Sequence, residues 1–297
     1  MDKYQIIRSI LRAIGLFIIL LISLSFWMLI QRPDEHLHLV FCDVGQGDAI
    51  LLFKNDQQIL IDGGPSKQVL SCLGQYMPFW DRELELMVLT HPDNDHVAGL
   101  ISVLANYQVA QFVGPGVGKS SAAFTEFVRQ LEQEQTKIFV AKKGDHLRLA
   151  GIELTVLWPE SGQGSDLAYQ PGEGRVLGAS DSVNETSVVL RVDFGEFDVL
   201  LPGDIGFKSE QQLVGEELSG IEVFKVSHHG SKYSSGEEFL ASVKPALAVI
   251  SVGKNSFGHP TDEVLSRLQA IGTRILRTDI DGSIEVISNG QSWWLAD

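Results

Sequence analysis

Residues 84–104 read LELMVLTHPDNDHVAGLISVL. The apolar run into Thr90 has the length and β-branched ending of a buried strand, and the run from Val97 reads as a helix. Between them, His91, Asp93, Asp95 and His96 put four metal-competent side chains into six residues of a strand-to-helix turn. In an extended turn alternate residues share a face, so His91 and Asp93 are expected to serve one ion. Asp95 and His96, where the chain enters the helix, are expected to serve a second. Imidazole mixed with carboxylate suits Zn, Mn or Fe, and is a harder set than histidine alone. Helix capping needs one of Asp93, Asn94 or Asp95 and no histidine, so a cap does not account for the hexamer.

Outward from this stretch the same arrangement recurs. Asp62 in LIDGG, Asp204 in LLPGD, His228-His229 in KVSHHGS and His259 in SFGHP each lie at or soon after the end of an apolar strand. Polar residues at successive strand ends gather at one rim of a layered fold. Short strands precede the hexamer (HLHLVFCDV, AILLFK, QQILID). After it, helices and strands alternate to AQFV and AAFTEFVRQLEQEQ, capped by Ser120 or Ser121. A second strand-rich block starts near Lys137 and leads into IEVFKVSHHG, ALAVISVG, a helix from Thr261 and a final hairpin at Asp281-Gly282. The pattern predicts two sheets face to face with helices outside. The Gly- and Ser-rich stretch 160–183 is the one long loop, expected to act as a lid or specificity element.

Ala13 to Ile30 carries no charge over 18 residues, about 27 Å of helix, and Trp27 sits near its end. Lys3, Arg8 and Arg12 precede it, while Arg32 is followed by Asp34 and Glu35. The expectation is an uncleaved transmembrane anchor over residues 1–35, N-terminus cytoplasmic, with domain 36–297 outside. The 297 residues are 44% hydrophobic and 21% charged, a globular balance that excludes a disordered chain. With 23 Lys+Arg against 38 Asp+Glu, the net charge of −15 is no basic footprint for nucleic acid. A DNA partner would have to be drawn by a local patch or by bound metal. Cys42 and Cys72 are too few for a disulfide scaffold and are expected as separate buried thiols, a single bridge being the alternative.

LIDGG, HPDNDH, LLPGD and the later histidines, in that order, resemble the metallo-β-lactamase superfamily. HLVFCDVGQGDAILL, NETSVVLRV and KVSHHGSKYSS resemble the extracytoplasmic metallo-β-lactamase-like domain of the ComEC family of DNA-uptake proteins. The resemblance covers residues 36–297. With one anchor in place of a multi-helix channel, a ComEC-like hydrolase domain standing alone is expected. The fold implied is α+β, a four-layer αββα sandwich preceded by one N-terminal transmembrane helix.

The resemblance also implies a dinuclear site for Zn²⁺ or Mn²⁺. His91 and Asp93 would bind one ion; Asp95, His96 and His229 the other; Asp204 would bridge. His229 is preferred as ligand because adjacent residues leaving a strand face opposite ways. His228 then serves as acid or phosphate contact and His259 as general acid or further ligand. Asp62 would orient the cluster, Asn184 replace a missing histidine, Lys232 and Ser231 hold phosphoryl oxygens, and Asp43 and Asp48 border the site. Asp93 stands where the superfamily's usual pattern has histidine. His146, the histidine between the hexamer and Asp204, reads as a surface strand residue.

The function implied is phosphodiester hydrolysis by a metal-activated hydroxide, with DNA at the outer face of the membrane as substrate and a separate DNA-uptake channel as partner. Alternatives are an envelope phosphoesterase for a small substrate, which the acidic balance favours, and a non-catalytic module that kept the fold. Gly114 to Ser120 imitates a phosphate-binding loop, but the spacing needs a Gly where Val113 stands. Asp279 to Gly282 imitates a calcium loop without the remaining ligands.

Overall fold

The structure is a computed structural model that describes residues 3–30, 34–134, 136–160, 183–215 and 218–296. The chain divides into two units, Met1–Asp34 and Glu35–Asp297. The first is helix α1 (Lys3–Ile30), about 42 Å long at 1.5 Å per residue. Its apolar side chains from Ile7 to Phe26 are exposed rather than packed in a core, and it is long and apolar enough to cross a membrane.

The second unit is built on two sheets. One contains β1 (Leu37–Phe41), β2 (Ile50–Lys54), β3 (Gln57–Ile61), β4 (Glu83–Val88), β5 (Gln108–Gly114) and β6 (Lys137–Val140). The other contains β7 (His146–Leu149), β8 (Ile152–Trp158), β9 (Val189–Phe194), β10 (Phe197–Leu201), β11 (Val223–Lys225), β12 (Leu247–Ile250) and β13 (Arg274–Arg277). The chain then returns to the first sheet with β14 (Ile284–Ser288) and β15 (Trp293–Leu295). The orders are β15-β14-β1-β2-β3-β4-β5-β6 and β13-β12-β11-β10-β9-β8-β7.

Period-2 patterning sets the layers. Leu39 and Phe41 of β1 point between the sheets, where they meet Leu154, Val192, Val199 and Val249. Val40 points the other way, into an apolar layer shared with helices α2 (Val69–Tyr76), α3 (Asn94–Leu104) and α4 (Ala122–Gln133). On the far side Leu200, Phe224 and Ala248 pack with α5 (Phe207–Leu213), α6 (Glu237–Val243) and α7 (Asp262–Ala270). The result is the four-layer αββα sandwich. Each fully buried Leu or Phe contributes roughly 1.5–3 kcal/mol, and helices on both outer faces explain why β12 is apolar throughout.

Parallel pairing positions the site. β3, β4, β5 and β6 run parallel, as do β10, β11, β12 and β13. The C-terminal ends of β3, β4, β10, β11 and β12 therefore open toward one rim, and Asp62, His91, Asp204, His229 and Ser251 follow these ends.

Several sequence expectations are corrected. β6 belongs to the first sheet, through parallel pairing with β5, rather than to the second strand-rich block. No hairpin forms at Asp281-Gly282: one turn of helix, α8 (Thr278–Asp281), carries the chain between sheets, and Asp281 accepts from Arg277 N at 2.8 Å. The hairpin joins β14 to β15 at Asn289-Gly290 instead. Cys42 and Cys72 form a disulfide with their Cα atoms 5.9 Å apart, so they are not separate thiols. Both lie in the apolar layer between the first sheet and its helices, where β1's continuation meets α2. Helices α2 and α5 carry no strong sequence signal. Ser121, rather than Ser120, caps α4, accepting from Phe124 N at 3.2 Å. Of the long loop, residues 161–182 lie outside the described residues.

Candidate metal centre

Three buried imidazoles converge on one carboxylate oxygen. The Nε2 atoms of His91, His96 and His229 stand 3.9, 3.4 and 3.2 Å from Asp204 Oδ2. None of the three Nε2 atoms has a hydrogen-bond partner among the described residues. Their other ring nitrogens are all engaged. His96 Nδ1 donates to Asp62 Oδ2 at 2.7 Å, and His229 Nδ1 donates to the Ser251 carbonyl at 2.8 Å. Thr90 Oγ1 gives its hydrogen to Asp62 Oδ2 at 2.7 Å, so His91 Nδ1 donates to that hydroxyl at 3.0 Å. Each ring is thus locked with Nε2 pointing inward, the arrangement a metal-binding histidine requires.

The backbone explains the convergence. Asp62 leaves β3 with φ +60 and is gripped by Thr90 N at 2.8 Å, which ties the β3 end to the β4 end. His228 and His229 do not continue β11. Both are left-handed (φ 50 and 53), so the pleat argument that separates adjacent residues does not operate there. The turn buries His229 (1% exposed side chain) and leaves His228 toward the open side (31%). His228 Nε2 lies 3.9 Å from Asp204 Oδ2 and accepts from Asn184 Nδ2 at 3.3 Å. Gly47 (φ +137) lets the GQGD loop press on the hexamer: a Cβ there would sit 2.1 Å from Asp95 O. That approach delivers Asp48 into the centre, so the loop is more than a tight turn.

Electrostatics point the same way. Among the described residues, Asp48, Asp62, Asp93, Asp95 and Asp204 face two ammonium groups, Lys119 and Lys225. Three negative charges are left unbalanced when the histidines are neutral. Lys225 is fully buried, paired with Asp48 and 3.2 Å from Asp204 Oδ1. Burial opposes its charge, but the two carboxylates outweigh burial and push its pKa up. Burial likewise opposes a proton on His96, yet Asp204 and Asp62 hold that group well above the usual imidazole range. His229 is pushed up to about 9 against its burial by Asp204 and Asp48. Burial would raise Asp204, but His229, His96 and Lys225 hold it well below the carboxylate range. His91, with burial and His96 both acting on it, is well below the imidazole range. Orphaned inward nitrogens, a central carboxylate and excess negative charge form a donor set that fits divalent cations. Among the described residues, four overlapping groups bring their donor atoms within 4.8 Å of one another: His91, His96 and Asp204; Asp95, His96 and His229; Asp48, Asp62 and His96; and Asp48, Asp204 and His229.

The metallo-beta-lactamase superfamily profile matches residues 42–254. The chain belongs to that superfamily. It is 32% identical over 263 residues to ComE operon protein 3 of Bacillus subtilis (strain 168), covering 82% of this chain and 32% of that protein. It is 32% identical over 249 residues to Recombination protein 2 of Haemophilus influenzae, covering 82% and 28%. Competence protein ComA of Neisseria gonorrhoeae is 28% identical over 260 residues, covering 85% and 32%. These relatives are ComEC-like competence proteins, and the chain spans about a third of their length. Among solved structures, the metallo-beta-lactamase fold protein YhfI from Bacillus subtilis superposes with TM-score 0.53 at 12% identity, over 88% of this chain and all of that one. This last likeness shows the fold alone.

The metallo-beta-lactamase rim gathers most of the residues singled out in sequence. His91, Asp95, His96, Asp204, His228 and His229 come together, with Asp62 behind His96. Asp93 stands at the edge: its Oδ2 is 3.9 Å from His91 Nε2, but its Oδ1 takes the Lys119 ammonium at 2.7 Å. His91 Nε2 has Asp93 Oδ2 and Asp204 Oδ2 both at 3.9 Å, and α3, which begins at Asn94, brings His96 beneath His91 (rings 4.1 Å apart). Ser231 is buried at 3% exposure and its hydroxyl accepts from Tyr233 N at 3.4 Å. It builds the turn that carries Lys232 and Tyr233. Lys232 is exposed, its ammonium 5.2 Å from the Tyr233 ring. His259 contacts the His228 ring at 5.7 Å, and burial and His228 press its pKa down to about 4. Asp43 is exposed and accepts from Gly45 N at 3.2 Å, outside the centre. His146 is an exposed strand residue. Lys225, Lys119, Thr90 and Ser251 were not singled out from sequence. For Lys225 the signal was a charge inside the apolar run VFKV.

Proposed function

We propose that the chain is a metal-dependent phosphodiesterase, anchored in the membrane by residues 1–35, whose domain 36–297 cleaves DNA on the outer side. The observation that carries the reading is the convergence of three orphaned Nε2 atoms on Asp204 Oδ2. The donor set of imidazole nitrogens and aspartate oxygens fits Zn²⁺ or Mn²⁺; His91, Asp93, Asp95, His96, Asp204 and His229 would hold two ions. Divalent cations bound there make a water nucleophilic at neutral pH and neutralise charge developing on a phosphoryl oxygen.

The remaining roles belong to the chain itself. Asp62, Thr90 and Ser251 hold the imidazoles in orientation. Lys225 holds Asp48 and Asp204 close through its ammonium. His228, steadied by Asn184, and His259 line the open side of the centre. Lys232 lies exposed on the same loop as His228, within reach of a phosphate. Competence-protein relatives support DNA as substrate and a DNA-uptake channel as partner. The outward orientation is supported by Lys3, Arg8 and Arg12 ahead of α1, and by the Cys42–Cys72 disulfide, a bond that persists in oxidising compartments.

The test follows cleavage of end-labelled single-stranded DNA by the metal-free chain after addition of Mn²⁺ or Zn²⁺, with Asp204→Asn as control. Metal-dependent cleavage that falls by about a thousandfold or more in the variant is expected, as for loss of a group central to transition-state charge. Bound metal without cleavage by either ion would sink the DNA reading and favour a small phosphoester.

A further inference from the structure

Two loops beside the metal centre share a composition. Residues 228–236 (HHGSKYSSG) and 251–260 (SVGKNSFGHP) contain no Asp or Glu, in a chain that has 38 of them. Each presents one exposed ammonium, Lys232 or Lys254, and one exposed ring, Tyr233 at 66% or Phe257 at 70%.

Both rings stand on loops that are locked internally. Asn255 ties its loop with four hydrogen bonds. Its Nδ2 donates to Gly253 O at 2.9 Å and His259 O at 2.8 Å, and its Oδ1 accepts from Phe257 N at 3.0 Å and His259 N at 3.1 Å. The Tyr233 loop is pinned by the buried Glu210 carboxylate, which accepts from Ser235 N at 2.5 Å and Gly236 N at 2.9 Å. Ser234 Oγ adds a bond to Ser227 O at 2.8 Å. Holding an apolar ring rigidly in water brings the folded chain nothing, whereas it reduces the entropy lost when a flat ligand binds.

Both rings are also continuous with the centre. Phe257 stacks beside His259 at 5.6 Å and 29°, His259 meets His228 at 5.7 Å, and His228 Nε2 is 3.9 Å from Asp204 Oδ2. Tyr233 follows His228 through two tight turns, Ser231 N to His228 O at 2.9 Å and Ser234 N to Ser231 O at 3.0 Å. Arg267 braces that loop from α7, donating to Lys232 O at 3.1 Å.

We propose that Tyr233 and Phe257 form a base-stacking platform beside the metal centre, with Lys232 and Lys254 on the adjoining phosphates, so that the substrate is a single strand with unstacked bases. The proposal rests on the phosphodiesterase reading above. Aromatic faces accept any base and ammonium groups accept any phosphate, so the platform is sequence-tolerant. Bases paired inside a duplex are not available to it.

The full chain in detergent, loaded with Mn²⁺ or Zn²⁺, is given three probes: single-stranded oligo-dT, the same backbone with abasic sites throughout, and methyl p-nitrophenyl phosphate. The wild-type chain is expected to show a KM roughly tenfold lower for oligo-dT than for the abasic strand. The Tyr233→Ala/Phe257→Ala double variant loses that preference, and Tyr233→Trp/Phe257→Trp retains it. Equal KM values for the two strands in the wild type, or a preference that survives in the double alanine variant, would overturn the platform while leaving the phosphodiesterase reading intact. Hydrolysis of methyl p-nitrophenyl phosphate with neither strand cut would overturn the DNA reading, and the platform with it.

Discussion

His96 and His229 carry protons in the metal-free protein because carboxylates surround them, and a metal must take the place of those protons. Burial opposes the charge on both rings; Asp204 with Asp62 at His96, and Asp204 with Asp48 at His229, prevail. The sign follows directly: below the raised pKa the proton competes with the ion, so affinity falls as pH falls. Titration calorimetry at pH 7 in buffers of different ionisation enthalpy is expected to show about two protons released on loading. Affinity should climb with pH until His229 has lost its proton at about 9. Release of no protons would show that both rings are already neutral at pH 7 in the metal-free protein. At this scale the residue types in the hexamer were readable from their spacing, since four metal-competent side chains in six positions have no simpler account. The partners that lock them, Thr90, Ser251 and Lys225, come from three different strand ends and carry no common motif.

Among the elements, α2 depends on the disulfide more than on its own sequence. It has eight residues and its N-terminal Gln68 makes no side-chain cap, so packing and the Cys42–Cys72 bond hold it on the first sheet. The bridge closes a separation of 30 residues, for which chain entropy gives roughly 3–4 kcal/mol. Reduction, or Cys42→Ser/Cys72→Ser, is expected to lower the thermal midpoint by roughly 10 °C. An unchanged midpoint after complete reduction would show that the bond contributes nothing to the fold. The sequence left this pairing open because two cysteines can sit buried side by side or bonded, and only the approach of the β1 end to α2 decides. The final hairpin was misplaced for a related reason. Asp281-Gly282 has good turn chemistry, but β13 and β14 belong to different sheets, so the chain there has to cross rather than fold back.

For the whole molecule, the asymmetry of charge about α1 predicts topology. In spheroplasts of a bacterial host, external protease should digest residues 36–297 and spare a tag at the N-terminus. Protection of the catalytic domain would reverse the orientation and, with it, the case for an outward-facing enzyme. The net charge of −15 gives DNA no general attraction, so any binding must be local, at the cations and at the two acid-free loops.

Sequence alone determined the long apolar N-terminal helix, the alternation of strands and helices, the layer architecture and the residue types at the rim. Those follow from periodicity, from an uncharged run of 18 residues, and from ligand types repeated at strand ends, all of which are local properties. The tertiary structure decided what the pattern could not encode. It set which histidine turns inward at a left-handed pair, that Asp93 pairs with Lys119, that Lys225 lies buried among the carboxylates, and that two distant loops meet where Thr261 N donates to Gly230 O. Each of these depends on contacts between residues far apart in the chain, whose distances are set by sheet order and loop closure rather than by neighbouring sequence.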